Sequence, residues 1–179
     1  MVPADRLSRF LSYLLRHRPP EYPLRFDPQG FVSWEELKEL VHGRFPDVTE
    51  QELLGLVTEA EKQRFEMREG KVRATYGHSF PVEFGAESVA PPACLYHGTA
   101  RDLAESTLHQ GLKPRGRAFV HLSGSADEAS AIGRRHDPLA RVVVIDAQAA
   151  HAGGIRFYLS GPVYLVAEIP ARFLSLQKE

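Results

Sequence analysis

The chain has 179 residues, 43% hydrophobic and 25% charged, with 22 Lys and Arg against 23 Asp and Glu. That composition supplies enough apolar side chain for one domain or two small ones and excludes disordered, collagenous and coiled-coil classes. A formal charge of −1 excludes a global positive field, so any contact with nucleic acid must come from a local basic pocket.

In chain order, Leu7, Phe10, Leu11, Leu14 and Leu15 recur at helical spacing over residues 4–17, and Pro19 and Pro20 stop that helix. Residues 24–32 read as two short extended pieces around a turn at Asp27-Pro28-Gln29-Gly30. Ser33-Trp34-Glu35-Glu36 starts a second helix with a capping box, which runs to about Val41. A third helix begins at Asp47-Val48-Thr49-Glu50 and gives way to Phe65-Glu66-Met67 and Val72-Arg73-Ala74, two strands turned at Glu69-Gly70. Three helices followed by a hairpin suggest a winged-helix arrangement.

Gly85, Ala86, Ser88, Ala90, Pro91 and Pro92 then cluster as a linker over residues 85–92, between lobes of residues 1–84 and 93–179. In the second lobe, strands are predicted at 95–97, 119–122, 141–146, 156–159 and 162–166, with helices at 103–110 and 126–135. The lobe reads as a small α+β domain.

Five clusters carry chemistry. Arg16-His17-Arg18 closes the first helix, where cations also complement the helix dipole. Lys62-Gln63-Arg64-Phe65 precedes the hairpin and Arg73-Ala74-Thr75-Tyr76-Gly77-His78-Ser79 follows it, with Gly77 suited to close approach of a ligand to the backbone. Tyr96-His97-Gly98-Thr99 ends a strand whose glycine lets main-chain amides reach a ligand. Arg115-Gly116-Arg117 leads into the strand on which His121 points away from Val120 and Leu122. Gly133-Arg134-Arg135-His136 ends a helix.

Each cluster alone has an ordinary structural account, such as a solvated hairpin or a satisfied core histidine. Arginine nevertheless dominates the cations, and its planar fork matches phosphate oxygens. The eight histidines show no His-Glu-x-x-His spacing and the single Cys94 supplies no partner, so no metal is expected. A lone cysteine fits a reducing, cytoplasmic setting. No run approaches the ~18 apolar residues of a membrane span, and no secretory signal pattern opens the chain, so no membrane partner is expected.

In their order and spacing, Leu14-Leu15-Arg16-His17, Gln63-Arg64-Phe65, Arg73 to Ser79, Tyr96-His97-Gly98-Thr99 and Arg117 to Ser123 resemble the RNA 2′-phosphotransferase family, KptA type, across nearly the whole chain. The resemblance implies an α+β protein with an N-terminal winged-helix lobe and a C-terminal lobe of the ADP-ribosyltransferase fold that binds NAD⁺. It implies a catalytic set of Arg16, His17, Arg64 and Arg117. It places NAD⁺ at His97, Gly98, Thr99, His121, Leu122 and Ser123, with Arg135 at the pyrophosphate. RNA contacts are expected at Arg73, Gly77, His78, Ser79 and Arg115.

The implied reaction starts from a tRNA-like RNA with an internal 2′-phosphate at a splice junction. That phosphate attacks the NAD⁺ ribose carbon bearing nicotinamide, giving an RNA 2′-phospho-ADP-ribose intermediate. A ribose hydroxyl then attacks phosphorus, leaving RNA with a free 2′-OH, ADP-ribose 1″,2″-cyclic phosphate and nicotinamide. Arg64 and Arg117 are expected to clamp the phosphate, and His17 to transfer a proton with Arg16 in support.

Val163 falls near the position where other ADP-ribosyltransferases carry a glutamate, which argues against protein ADP-ribosylation. Two departures stand out: Tyr76 replaces a small polar residue before Gly77-His78-Ser79, and Asp137 replaces a common glycine after His136. Two other readings use the same residues. One is a one-step ADP-ribosyltransferase acting on terminal phosphates of nucleic acid. The other is a non-enzymatic winged-helix nucleic-acid-binding module. A monomer is expected, since no apolar heptad is evident.

Overall fold

The structure is a computed structural model that describes residues 2–59, 63–83 and 88–178. Lys62 and residues 85–87 of the expected linker lie outside the described residues. The chain is α+β with antiparallel sheets and divides into two compact units, Met1–Gly85 and Ala86–Glu179.

In the first unit, α1 (Ala4–His17) buries Leu7, Leu11, Leu14 and Leu15, as their spacing predicts. Arg18 turns the chain out of the helix in the left-handed region at φ 47°, and Pro19 follows. The extended piece expected before the Asp27 turn joins no sheet. Asp27 Oδ1 accepts the N–H groups of Gln29 and Phe31 at 3.1 and 2.9 Å, so this segment satisfies itself locally, and only β1 (Val32–Ser33) pairs in a sheet.

Helix α2 (Trp34–Arg44) outlasts its predicted end by about a turn, and only one half of its capping box forms. Ser33 Oγ accepts the Glu36 N–H at 3.5 Å, but the Glu36 carboxylate turns to Arg25 at 3.3 Å. The reciprocal box forms instead at α3 (Glu50–Thr58), where Thr49 N–H donates to Glu52 Oε2 at 2.8 Å and Glu52 N–H to Thr49 Oγ1 at 3.2 Å. Strands β2 (Phe65–Arg68) and β3 (Lys71–Ala74) meet at Glu69-Gly70, both at positive φ as a type I′ turn requires. The sheet order is β1-β3-β2, and Val32, Phe65, Val72 and Ala74 join the helices in one core with Trp34, Leu37, Val41, Leu53 and Val57.

The second unit holds two three-stranded antiparallel sheets. One is β4 (Cys94–Thr99), β6 (Arg141–Asp146) and β9 (Leu174–Leu176); the other is β5 (Val120–Leu122), β8 (Val163–Val166) and β7 (Tyr158–Ser160). Tyr96 and Ser123 exchange both backbone hydrogen bonds, 3.0 and 2.8 Å, and so link β4 to the chain just after β5. Helices α4 (Arg101–Gln110) and α5 (Ala126–Gly133) lie near their predicted places, α5 ending two residues early. Helix α6 (Ala147–Ala152) and β9 were not foreseen: six residues opened by an Asp146 cap on the Ala149 N–H, and a three-residue strand, carry too little periodicity to read. Leu95, Leu122, Ile145, Phe157 and Val166 fill the core.

Candidate active site

In the first unit the end of α1 meets the segment after β3. The Ser79 N–H and Oγ–H both donate to the Arg16 carbonyl, at 2.8 and 3.2 Å, satisfying an acceptor that the helix leaves open at its end. His17 Nδ1 lies 3.0 Å from the same Ser79 Oγ. Gly77, at φ 90°, makes the bend that brings Ser79 back to α1. The Arg16 guanidinium stacks on Tyr76 at 4.9 Å, so the unusual aromatic at this position supports an expected catalytic cation.

His78 is buried at 3% exposure, its ring edge-on to Phe80 and its Nε2 facing Gly30. Burial, and then the charges of Arg16, Arg73, Arg18 and His17, push its pKa down to about 4, so it is neutral at pH 7. Arg18 sits over Phe80 at 3.9 Å and Phe26 at 4.6 Å. Arg73 pairs with Glu66 at 2.7 Å, donates to the Gln29 carbonyl and covers Phe31, which gives it a structural task of its own. Arg64 donates from Nη1 to Ser8 Oγ at 2.9 Å. Ser8, one of few buried polar residues, was not singled out from the sequence; a serine on the apolar side of α1 was the available signal.

In the second unit a cavity of about 240 Å³ gathers most of the residues expected at NAD⁺: His97, Gly98, Thr99, His121, Leu122 and Ser123 line it, together with Arg115 and Arg117. Its lining holds Lys113 and His136 as well and, among the described residues, contains neither Asp nor Glu, which suits an anionic ligand. Val163 also lines it. Arg135 is exposed and is not part of the lining; its neighbour His136 is. Lys113 was missed because a single lysine in loop sequence carries no pattern, whereas His136 belongs to the Gly133–His136 cluster but was given no place at the cofactor.

His97 Nδ1 donates to the His121 carbonyl at 3.0 Å. Burial holds the His97 pKa below its usual value, the carbonyl bond opposes that, and the nearby Arg115 charge adds to the lowering. The neutral ring therefore carries its proton on Nδ1 and offers Nε2 as an acceptor. His121 alternates with buried Val120 and Leu122, as the strand reading predicts.

Gly98 has a packing role besides its place in the lining. A Cβ there would lie 2.0 Å from the Ala129 carbonyl oxygen and 2.9 Å from the Gly133 nitrogen, so its glycine is required by α5 pressing on β4. Asp137 is likewise explained: Oδ2 accepts the Arg101 N–H at 2.8 Å and Oδ1 the Leu139 N–H at 2.9 Å, and these bonds keep its pKa low. It caps α4, whose own Ala100 supplies no side-chain cap, and ties the turn bearing His136 to that helix start. Among the described residues no group of three or more His, Cys, Asp or Glu is placed to hold a metal, and no helix is long and apolar enough to cross a membrane.

Comparison with known proteins identifies the family. A family profile described as RNA 2′-phosphotransferase, Tpt1 / KptA family, matches residues 3–168. A "probable RNA 2′-phosphotransferase" of Thermococcus kodakarensis is 40% identical over 172 residues, 96% of each chain. Proteins with the same description from Acetivibrio thermocellus and Bacillus thuringiensis are 36% and 37% identical, covering 99% of both chains and 96% and 95% respectively. With a match of this extent, the chain belongs to the RNA 2′-phosphotransferase, Tpt1 / KptA family.

Proposed function

We propose that the protein is an NAD⁺-dependent RNA 2′-phosphotransferase acting on an internal 2′-phosphate, with a winged-helix lobe followed by an ADP-ribosyltransferase-type lobe. The observation that carries the reading is the cavity around Tyr96–Thr99, lined by Lys113, Arg115, Arg117 and three histidines and, among the described residues, by no acid. Such a lining favours a ligand with several negative charges, and a dinucleotide pyrophosphate fits that chemistry. NAD⁺ would supply an electrophilic ribose carbon and, in a second transfer, the hydroxyl that takes the phosphate from RNA.

The chain's own residues bind, orient and move protons. His97, with Nδ1 tied to the His121 carbonyl, presents a fixed acceptor to a ribose hydroxyl. Arg64 and Arg117 neutralise phosphate oxygens, and Ser8 holds Arg64 in its rotamer. His17 handles the proton of the second transfer from Nε2, because Ser79 occupies Nδ1, and Arg16 stabilises the same phosphate. Gly77, His78 and Ser79 support this RNA-side arrangement from behind, and Arg73, paired with Glu66 across the β2–β3 ladder, braces the hairpin.

A duplex-binding module without catalysis is disfavoured by α3, the helix that such a lobe would lay in a groove. Its sequence Glu-Gln-Glu-Leu-Leu-Gly-Leu-Val-Thr contains no cation and opens with two acids.

The test is incubation with NAD⁺ and a short RNA bearing one internal 2′-phosphate, beside Arg64→Ala and Arg117→Ala. RNA with a free 2′-OH plus a cyclic ADP-ribose phosphate supports the reading, with both variants strongly impaired. ADP-ribosylated RNA that is never resolved would replace it with a one-step transferase, and untouched NAD⁺ would overturn it.

A further inference from the structure

The exposed face of α1 extends well beyond His17, the one residue on it that the proposed chemistry uses. Arg6, Arg9, Tyr13 and His17 are all exposed. At about 100° per residue they fall within an arc of about 80°, and they span about 16 Å along the helix. The one acid on α1, Asp5, sits outside that arc; its backbone carbonyl accepts the Arg9 Nε at 3.2 Å.

The face is widened at its far end. Arg44, from the end of α2, lies over the Phe45 ring at 5.2 Å, and Arg6 lies over the same ring at 5.5 Å. Phe45 is itself 7% exposed and packs edge-on to Phe10, so it is a rigid base for both guanidinium groups. Tyr13 is 41% exposed and fixed in place by a 2.6 Å hydrogen bond to Glu21, with its ring 6.1 Å from that of His17. Arginines clustered at one end of the face and a held aromatic ring next to them supply what a single nucleic-acid strand needs: charge for the phosphates, a flat face for a base.

We infer that this face is a binding track for single-stranded RNA, leading from the His17 end of α1 to the Arg6, Arg9 and Arg44 cluster. It engages the strand next to the 2′-phosphorylated nucleotide rather than the nucleotide itself. The inference rests on the proposed action on RNA and adds to it a determinant of substrate length. A minimal 2′-phosphorylated dinucleotide does not reach the arginine cluster; an RNA extended by several nucleotides on the correct side does.

The experiment compares wild type with Arg6→Gln/Arg9→Gln, which removes charge while keeping polar stems of similar reach. Substrates are a 2′-phosphorylated dinucleotide and the same junction extended on the 5′ side, the 3′ side or both. The variant is expected to raise KM about five-fold or more for one extended series and to leave the dinucleotide within about two-fold, since only the former uses the extra phosphate contacts. In direct binding of the extended RNA without NAD⁺, the salt slope should fall by about 1.4, from about 0.7 per lost phosphate contact. Tyr13→Leu should weaken that binding with the slope unchanged.

Equal effects on short and long substrates, or an unaltered salt slope, would overturn the track. If wild type turns over neither RNA, the phosphotransferase reading fails instead, and the salt slope measured without NAD⁺ still decides whether the track exists.

Discussion

Ser79 Oγ lies 3.0 Å from His17 Nδ1 and 3.2 Å from the Arg16 carbonyl oxygen. A hydroxyl has one proton, and a carbonyl can only accept, so that proton goes to Arg16 and the imidazole must donate from Nδ1. The side chain expected to touch RNA thus selects which nitrogen of His17 faces outward chemistry. Ser79→Ala should lower kcat about ten-fold with little change in RNA KM, because ring orientation and tautomer are lost while the backbone bond to Arg16 survives. Ser79→Thr should recover most of the rate. Steady-state kinetics on a 2′-phosphorylated RNA distinguishes this from a contact role, in which KM would rise instead.

Arg64 is held by Ser8 through a 2.9 Å bond, and a hydrogen bond to a charged group contributes about 1.5–3 kcal/mol. Ser8→Ala should therefore slow phosphate transfer by about ten-fold or more if the rotamer matters mainly in the transition state. Single-turnover rates, measured at a temperature well below the melts of both wild type and variant, would check it.

Gly98 and Gly133 mark where α5 lies on β4. Gly98→Ala would drive a methyl group onto the Ala129 carbonyl, and nothing flexible stands in the way to yield. A loss of stability of about 3 kcal/mol or more is expected, read as a large drop in Tm or failure to accumulate folded protein. Gly43→Ala, in open space on α2, should be neutral or slightly stabilising in the same assay.

His78 ties stability to acid. Its folded pKa, about 4, lies below the unfolded value near 6.5, so the unfolded chain binds a proton first. Stability from this residue is full above about pH 6.5, declines as pH falls toward 4 and is absent below, for a total of about 3 kcal/mol. Urea unfolding of wild type and His78→Gln at pH 7.5 and pH 5 should show the gap between them shrinking at the lower pH. An unchanged gap would mean that burial does not hold this ring neutral.

Much of this was legible in the chain because it rests on local pattern. The apolar spacing of α1, the Glu69-Gly70 turn and the 141–146 run are each specified by neighbours in sequence. The pocket residues His97, Thr99, His121 and Ser123 were found through motif order, and one cavity contains them. What escaped depends on partners far along the chain. Ser8 matters because Arg64 is 56 residues away, and Gly98 because α5 returns to it. Asp137 looked like a departure until the uncapped start of α4 supplied its reason.

The paired backbone bonds of Tyr96 and Ser123 join two sheets along a narrow seam, and the cavity opens beside it. A ligand touching both Tyr96–Thr99 and Val120–Ser123 would act as a staple across that seam. Occupancy should then be visible without any turnover, as slowed amide hydrogen exchange at these two residues, while the interior amides of β6 hardly change.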